Sequence, residues 1–243
     1  MRMNSNKNEV YSVPTPIRVL QITGLGVTGI SNVVMNYYRK INTEKVQFDF
    51  VTESASSQEY DTEVIQRGGV IFRVPSRRKT PILYMVALYK VIKNNNYKMV
   101  HIHKSSATMV IEAVICKICR VPIVIGHSHN SLSKEVNLHR ILKPVVNKLI
   151  THKYACSEEA GRWIFGQRSD FVVIRNAVDA VKYAFKPEIR SDYRRRMNLE
   201  GCYVIGIVAK LHKPKNVGRL IDIFREIQKI KDNAVLMLSL IHI

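Results

Sequence analysis

Two pairs of histidines are the side chains most suited to chemistry in this sequence. His101 and His103 form one H-x-H pair, and His127 and His129 form a second. Each pair falls at the carboxyl end of a predicted parallel strand, where open α/β sheets bind ligands. Imidazole can hydrogen-bond a hydroxyl or phosphate, or take a proton near neutral pH. Because no obvious carboxylate accompanies them, substrate hydrogen bonding is favoured over a metal site; satisfied loop histidines are the structural alternative.

A glycine-rich segment provides a second candidate site. Residues 24–29 read G-L-G-V-T-G and match G-x-G-x-x-G between a predicted strand and a predicted helix. Glycine lets the backbone approach a phosphate, and the helix start attracts its charge. We therefore expect Gly26 and Gly29 to bind phosphate, unless the loop only closes a turn. A dinucleotide site also needs an acid about twenty residues later, and Glu53 is roughly so placed, which keeps an NAD(P)-dependent oxidoreductase as the alternative function.

A third candidate is the basic segment 210–216, which reads K-L-H-K-P-K-N. It links a predicted strand to the amino end of a predicted helix. Lys210 and Lys215 thus add full charges to a dipole end that already favours anions. A diphosphate is the expected ligand, and a bare basic loop is the structural alternative.

These segments are positioned by strands and helices that alternate along the chain. Strands are predicted at 17–23, 48–52, 70–74, 99–102, 122–126, 154–156 and 171–174, with helices between them. Such alternation predicts an α/β fold, a Rossmann-like doubly wound parallel sheet with helices on both faces. Thr80 and Pro81 are a capping residue and a first helical residue for the third helix, and Gly68 can end the second one in a left-handed conformation.

The chain is predicted to contain one complete domain and part of another. Residues 1–16 are polar and expected to be disordered, and 17–180 form the Rossmann-like domain. Pro187 and polar residues interrupt the pattern, so 181–200 are interpreted as a linker. Residues 201–243 contain a strand at 203–208, a helix at 216–230 and a strand at 234–238. They therefore form the first β-α-β unit of a second Rossmann-like domain.

The composition is strongly basic, with 38 Lys and Arg against 19 Asp and Glu and a formal charge of +19. Such a surplus favours anionic partners such as nucleotide phosphates or acidic lipids. The basic runs 77–79 and 194–196 are expected to be solvated. Cys116 and Cys119 lie in a helical pattern without a second ligand pair, which favours buried thiols over zinc. Without a secretory leader or a long apolar stretch, we expect a cytoplasmic protein, at most peripheral at the inner face of the plasma membrane.

Several segments, taken in order, resemble the family-4 glycosyltransferases of bacterial capsular polysaccharide and exopolysaccharide assembly. Residues 17–39 are similar to that family's first strand, loop and helix, 126–130 (G-H-S-H-N) to its H-S-H-N segment, and 154–160 (Y-A-C-S-E-E-A) to its C-S-x-x-A segment. Residues 174–179 (I-R-N-A-V-D) resemble I-P-N-G-I-D, with Arg175 and Ala177 as departures. Residues 208–216 resemble the donor-site V-G-R…K-N pattern. The resemblance covers about 17–238.

The resemblance implies the GT-B fold, with a nucleotide sugar, expected to be a UDP-sugar, bound by the second domain. It implies a lipid-linked saccharide acceptor on the first domain, transfer with retention of configuration, and no metal or other cofactor. Lys210 replaces an arginine and loses its bidentate fork. The implied site residues are His127 or His129 for catalysis, Lys210, Lys215, Gly26 and Gly29 for the donor diphosphate, and His103, Asn130, Ser157 and Asn176 in the acceptor cleft.

The end of the chain departs from the family pattern. After about residue 238 the family continues into a second half that carries an E-x7-E pair, whereas here 239–243 read S-L-I-H-I. We expect a C-terminally truncated chain that is inactive by itself, with a natural one-domain relative as the alternative. A nucleic-acid-binding module is disfavoured because the sequence shows no recognition helix or stacking motif.

Overall fold

The structure, a computed structural model, describes residues 16–56, 58–131, 136–209 and 215–240. The chain divides into two compact units between Asp179 and Ala180. The strands of the first unit are β1 (Ile17–Ile22), β2 (Val46–Glu53), β3 (Ile71–Val74), β4 (Met99–His103), β5 (Ile123–Ser128), β6 (His152–Ala155) and β7 (Val172–Val173). Its helices are α1 (Gly29–Lys40), α2 (Asp61–Gln66), α3 (Pro81–Asn94), α4 (Val110–Ile118), α5 (Val136–Leu149) and α6 (Glu158–Phe165), with a 3₁₀ turn at Ala107–Met109 before α4.

The seven strands form one parallel sheet in the order β3-β2-β1-β4-β5-β6-β7. This arrangement confirms the predicted Rossmann-like α/β fold. The chain leaves β1 toward β2 and β3, then returns to β4 and continues toward β7. The switch point therefore lies between β1 and β4, where the carboxyl ends of the strands leave a crevice for ligands.

Two apolar cores cover the two faces of the sheet. The larger core includes Leu88 of α3, Cys116 of α4 and Val146 of α5. The smaller core joins Tyr38 of α1 to Phe50 of β2. Successive strand residues point to opposite faces. On β1 and β4 this alternation puts Leu20, Ile22, Val100 and Ile102 in the larger core. It puts Gln21, His101 and His103 on the face that carries α1.

Local signals set several element boundaries. The hydroxyl of Thr28 accepts a hydrogen bond from the amide of Ser31 and caps α1. Gly68 follows α2 with a φ of 82°, the left-handed conformation that the sequence predicts. Pro81 begins α3 as predicted, but Thr80 does not cap it with its side chain. Its hydroxyl donates instead to the carbonyl of Ser76, at 3.1 Å.

The second unit contains α7 (Pro187–Arg196), β8 (Tyr203–Ala209), α8 (Val217–Gln228) and β9 (Ala234–Leu240). Strands β8 and β9 pair in parallel, which confirms the predicted β-α-β unit. Helix α7 lies inside the stretch expected to be an irregular linker. It buries none of its residues, and its apolar side chains, Ile189 and Tyr193, are too few to form a recognisable stripe. Pro187, interpreted as an interruption, instead occupies the first helical turn, where proline is well tolerated.

Candidate functional site

The structure brings the two histidine pairs together at the carboxyl ends of β4 and β5. His103 and His127 are register partners on these adjacent strands. His101 Nε2 lies 3.2 Å from His127 Nδ1, and His103 Nδ1 lies 2.8 Å from His129 Nε2. The His101 and His103 rings have centroids 4.0 Å apart, and those of His127 and His129 are 4.1 Å apart. These four side chains, called the histidine cluster below, form one hydrogen-bonded and stacked group.

Gln21 of β1 orders the protons in part of this cluster. Its Oε1 lies 2.8 Å from His103 Nε2. An amide oxygen can only accept, so His103 donates from Nε2 and, being neutral, accepts at Nδ1. His129 then donates from Nε2 and keeps a lone pair on Nδ1. Gln21 was not predicted as a site residue, although a glutamine within the otherwise apolar end of β1 (V-L-Q-I) is a signal for one.

Burial keeps the whole cluster neutral at physiological pH. Desolvation is the main cause in every case, and it lowers the pKa of His101 to about 3, of His127 to about 2 and of His129 to about 4. The pKa of His103 is also held well below its ordinary value, by burial and by the other three imidazoles. At neutral pH these rings therefore act as hydrogen-bond donors and acceptors and not as cations. The expectation that they take a proton near neutral pH does not fit this environment.

The cluster lines a cavity of about 290 Å³ between the sheet and α1. Most of the remaining wall is apolar and includes Ile174 after β7. The segment after β7 is held against α1, because Tyr37 donates to the carbonyl of Arg175 and Asn36 Nδ2 donates to Ala177 at 2.9 Å. His127 Nε2 is buried without a hydrogen-bond partner among the described residues. Because this atom has almost no accessible surface, a ligand hydroxyl in the cavity would reach it only if neighbouring side chains moved.

A second cavity of about 230 Å³ lies at the carboxyl ends of β1, β2 and β4. Gly24 and Thr28 of the glycine loop line it, together with Glu53 at the end of β2. Lys104 and His103 also contribute to its polar wall. His103 thus contributes to both cavities. Lys104, which no sequence motif singled out, supplies a positive charge beside the loop, although its Nζ also lies 3.7 Å from Oε1 of the buried Glu112.

The glycine loop has room that packing does not explain. A Cβ on Gly24 or Gly29 would meet no atom of the described chain within 4 Å, and neither residue has a left-handed φ. Open space above a glycine backbone is what a bound phosphate requires. Two nearby amides are already satisfied, since Thr28 donates to the carbonyl of Gly26 at 2.7 Å and Ser31 donates to the hydroxyl of Thr28 at 3.2 Å. A phosphate would therefore use the other amides of this loop.

The remaining residues of the predicted acceptor cleft differ in their surroundings. Asn130, directly after His129, is exposed, and so is Asn176. Ser157 caps α6, because its hydroxyl accepts from the amide of Ala160 at 3.2 Å. This capping gives Ser157 a structural role, whereas the two asparagines are free to meet a ligand from solvent. Their assignment to an acceptor cleft stays a prediction.

In the second unit, Lys215 is exposed and directly precedes Asn216, the residue before α8. Asn216 has a φ of 47° and makes no side-chain capping bond, so it does not cap α8 in the manner of Thr28 on α1. Lys210 lies outside the described residues. The structure therefore places one of the two predicted lysines, Lys215, beside a helix start. Binding of a diphosphate by Lys210 and Lys215 stays a prediction.

Three cluster members could also be considered as metal ligands. Ring nitrogens of His101, His103 and His127 lie within 4.8 Å of one another. Neutral imidazole suits zinc, but metal-bound histidines usually donate their other ring nitrogen to a carboxylate or carbonyl. Here the rings bond one another and Gln21. An ion would have to displace these bonds, so the geometry favours a hydrogen-bonded cluster.

None of the helices described here combines the length and apolar character needed to cross a membrane.

Known proteins resemble this chain in sequence and in fold. EpsF of Bacillus subtilis (strain 168), which carries the name of a glycosyltransferase, is 31% identical over 234 residues, covering 91% of this chain and 59% of EpsF. The crystal structure of Anabaena Alr3699/HepE in complex with UDP and glucose has a TM-score of 0.68 at 18% identity, covering 93% of this chain and 62% of that one. A glycosyltransferase from Rickettsia africae ESF-5 has a TM-score of 0.63 at 11% identity, with 92% and 68% covered.

At these identities the solved structures show the fold alone. The chain spans about three fifths of the length of EpsF and HepE. The pattern of Glycosyltransferase Family 4 matches residues 27–182, which is more than half of the chain. This match contains the glycine-loop helix, both histidine pairs and the segment after β7. The chain therefore belongs to Glycosyltransferase Family 4.

Proposed function

We propose that this chain acts in a retaining glycosyltransferase, which transfers a sugar from a nucleotide sugar to a saccharide acceptor in polysaccharide biosynthesis. The observation that carries the proposal is that His103 lines both cavities. One cavity has an open glycine loop and Lys104, which suit a phosphate. The other offers imidazole nitrogens, which suit sugar hydroxyls. Glycosyl transfer brings these two kinds of group together.

The proposed donor is a UDP-sugar. HepE was crystallised with UDP-glucose and with UDP and glucose, and it shares the fold of this chain. In this chain Gly26 and Gly29 belong to the glycine loop, where Gly26 is buried and Gly29 is exposed, and Lys215 precedes a helix start that attracts anions. Lys210 is assigned to the same diphosphate from the sequence. These positive groups would stabilise the departing diphosphate without a metal ion.

The cluster is proposed to orient hydroxyl groups of the reacting sugars. The lone pair on His129 Nδ1 accepts a hydrogen bond, and His127 Nε2 gains the partner that it lacks. Neutral rings position a hydroxyl without competing for its proton, which fits their lowered pKa values. Gln21 and His103 are positioning residues, because they act through the proton that they fix on His129. Both catalytic candidates thus stay in the proposal with different hydrogen-bonding roles.

A lipid-linked saccharide at the inner face of the plasma membrane is the proposed acceptor. The formal charge of +19 supports an acceptor with a lipid diphosphate and a site near acidic headgroups. Asn130 and Asn176 are exposed near the segments that carry the cluster and close the cavity, and they are proposed to contact this acceptor.

The test uses the longest product of the reading frame that contains this chain. It is incubated with membranes and radiolabelled UDP-glucose, UDP-galactose or UDP-N-acetylglucosamine, and label in the lipid extract is counted. We expect transfer from one donor, and a loss of about a hundredfold or more in kcat/KM for His129→Gln, as when a transition-state hydrogen bond is removed. His152→Gln is the matched control, because His152 is exposed and outside the cluster. Absence of transfer from every nucleotide sugar would refute the proposal.

One observation favours the second candidate, an NAD(P)-dependent oxidoreductase. Glu53 lines the glycine-loop cavity at the end of β2, where a dinucleotide ribose would place its hydroxyls. Saturable quenching of NADH fluorescence by the protein, abolished in Gly26→Trp, would support this function. The family membership favours glycosyl transfer, so we expect no saturable NADH binding.

A further inference from the structure

The outer surfaces of α3 and α5 are unusually apolar for helices that face solvent. Ile82 on α3 is 74% exposed and Ile141 on α5 is 72% exposed. The exposed apolar residues are Ile82, Leu83, Met85, Val86 and Tyr89 on α3, and Val136, Leu138, Ile141 and Val145 on α5. We call this set the apolar face. Such concentrations of exposed apolar side chains mark interaction sites in proteins.

The apolar residues form stripes at helical spacing. Ile82, Val86 and Tyr89 repeat at four and three residues along α3, while Tyr84 and Leu88 on its other side are buried in the larger core. On α5 the stripe is Leu138, Ile141 and Val145, at spacings of three and four. Helix α4 contacts both α3 and α5 and ends at Ile118, which is itself 62% exposed. The stripes therefore flank one helix on the same side of the sheet.

The charges of these two helices have one sign. Neither α3 nor α5 contains an aspartate or a glutamate. Their exposed cations are Lys90 and Lys93 on α3 and Arg140 and Lys148 on α5, with Arg78 and Lys79 just before α3. None of these six forms an ion pair with another described residue. Lys93 and Lys148 continue the two apolar stripes, one turn or less beyond the last apolar residue.

Helix α8 shows that this pattern is not general in the chain. It also exposes apolar residues, Ile221 and Ile223. However, Asp222 and Glu226 accompany them and pair with Arg225 and Lys229. Of these three helices, α3 and α5 thus combine exposed apolar residues with the absence of aspartate and glutamate, whereas α8 does not. Its partner should combine an apolar interior with negative charge.

We propose that the apolar face docks onto the surface of a bilayer that contains anionic phospholipids. The aliphatic side chains enter the headgroup region, and the flanking lysines and arginines contact lipid phosphates. A second copy of the chain fits less well, because it would oppose two faces of like charge. The inference rests on the membrane-side location proposed above. Its test measures lipid binding and not transfer, so either proposal can fail alone.

The experiment measures co-sedimentation of the chain with vesicles of phosphatidylcholine and with vesicles of equal parts phosphatidylcholine and phosphatidylglycerol. We expect binding to the second kind only, weakened by salt. Lys90→Gln with Lys93→Gln should weaken it about fivefold for each lysine removed. Ile82→Ser with Val86→Ser should weaken it about tenfold or more, because both side chains leave the headgroup region.

Ile221→Ser with Ile223→Ser on α8 is the matched control and should bind as the original chain does. Circular dichroism checks that each variant folds. The comparison of the two vesicle types uses the unmodified chain, so it remains a test even if a variant fails to fold. Equal binding to both vesicle types, or none, would overturn the proposal. So would unchanged binding by the α3 variants. If the unmodified chain is a dimer and Ile82→Ser with Val86→Ser makes it monomeric, the apolar face is a contact between copies and the proposal fails.

Discussion

Lowering the pH should destabilise this chain already at pH values well above those at which carboxylates become protonated. The four cluster histidines have pKa values far below the ordinary value of 6.5, chiefly because they are buried. The folded state therefore binds fewer protons than the unfolded state below pH 6.5. Stability from this source is complete above the unfolded pKa and is lost as the pH falls toward the folded values.

The size of the effect follows from the number of neutral rings. A histidine that is protonated only in the unfolded state lowers the free energy of unfolding as the pH falls. Below the pKa of the unfolded histidine, the loss is about 1.4 kcal/mol for each pH unit. Between about pH 7.5 and 5.5 this amounts to about 1.4 kcal/mol for each ring, or about 5–6 kcal/mol for the cluster. Burial also lowers the pKa of His139, which adds to the loss. Since a typical domain is stable by only about 5–15 kcal/mol, the chain should be close to unfolding near pH 5.

The assay is urea unfolding of the chain, followed by circular dichroism at several pH values across this range. His129→Gln removes one titrating ring and should reduce the loss by about 1.4 kcal/mol between the two ends of the range. His152→Gln is the control, because it makes the same substitution at an exposed histidine outside the cluster. A free energy of unfolding that stays constant from about pH 7.5 to 5.5 would refute the reasoning, because the rings would then be charged in the folded protein.

Two further predictions concern single side chains. Gln21→Met removes the acceptor for His103 Nε2 and leaves a buried donor unpaired, so the free energy of unfolding should fall by about 1–3 kcal/mol in urea titrations. Nitrogen-15 spectra should show His103 as the Nε2–H tautomer before the substitution, and an Nδ1–H tautomer there would contradict the assignment. Gly161→Ala places a Cβ about 2.1 Å from the Phe171 ring and should lower the melting temperature. Gly29→Ala, where a Cβ meets open space, should not lower it, and equal losses in the two variants would contradict the packing argument.

Some polar interactions in the structure could not be anticipated from the sequence. The run 77–79 was expected to be solvated, and residues 78 and 79 are indeed exposed. Arg77, however, reaches the buried Glu112, with its Nε 3.2 Å from Oε1. Tyr84 donates to the same carboxylate at 2.8 Å. These partners come from three separate segments, and neighbours in sequence do not reveal which of three adjacent cations will turn inward.

Local sequence patterns were enough to predict the parallel α/β sheet, its glycine loop and the β-α-β unit that follows. These features depend on apolar periodicity and on glycine and proline, which act over a few residues. Helix α7 was missed because it buries no residue and its apolar side chains, Ile189 and Tyr193, are too few for a recognisable stripe. Only the tertiary structure joined Gln21 to the histidine cluster, because three strands far apart in sequence meet at the switch point. Only burial among those strands decided that the histidines are neutral, since desolvation depends on everything packed around a side chain.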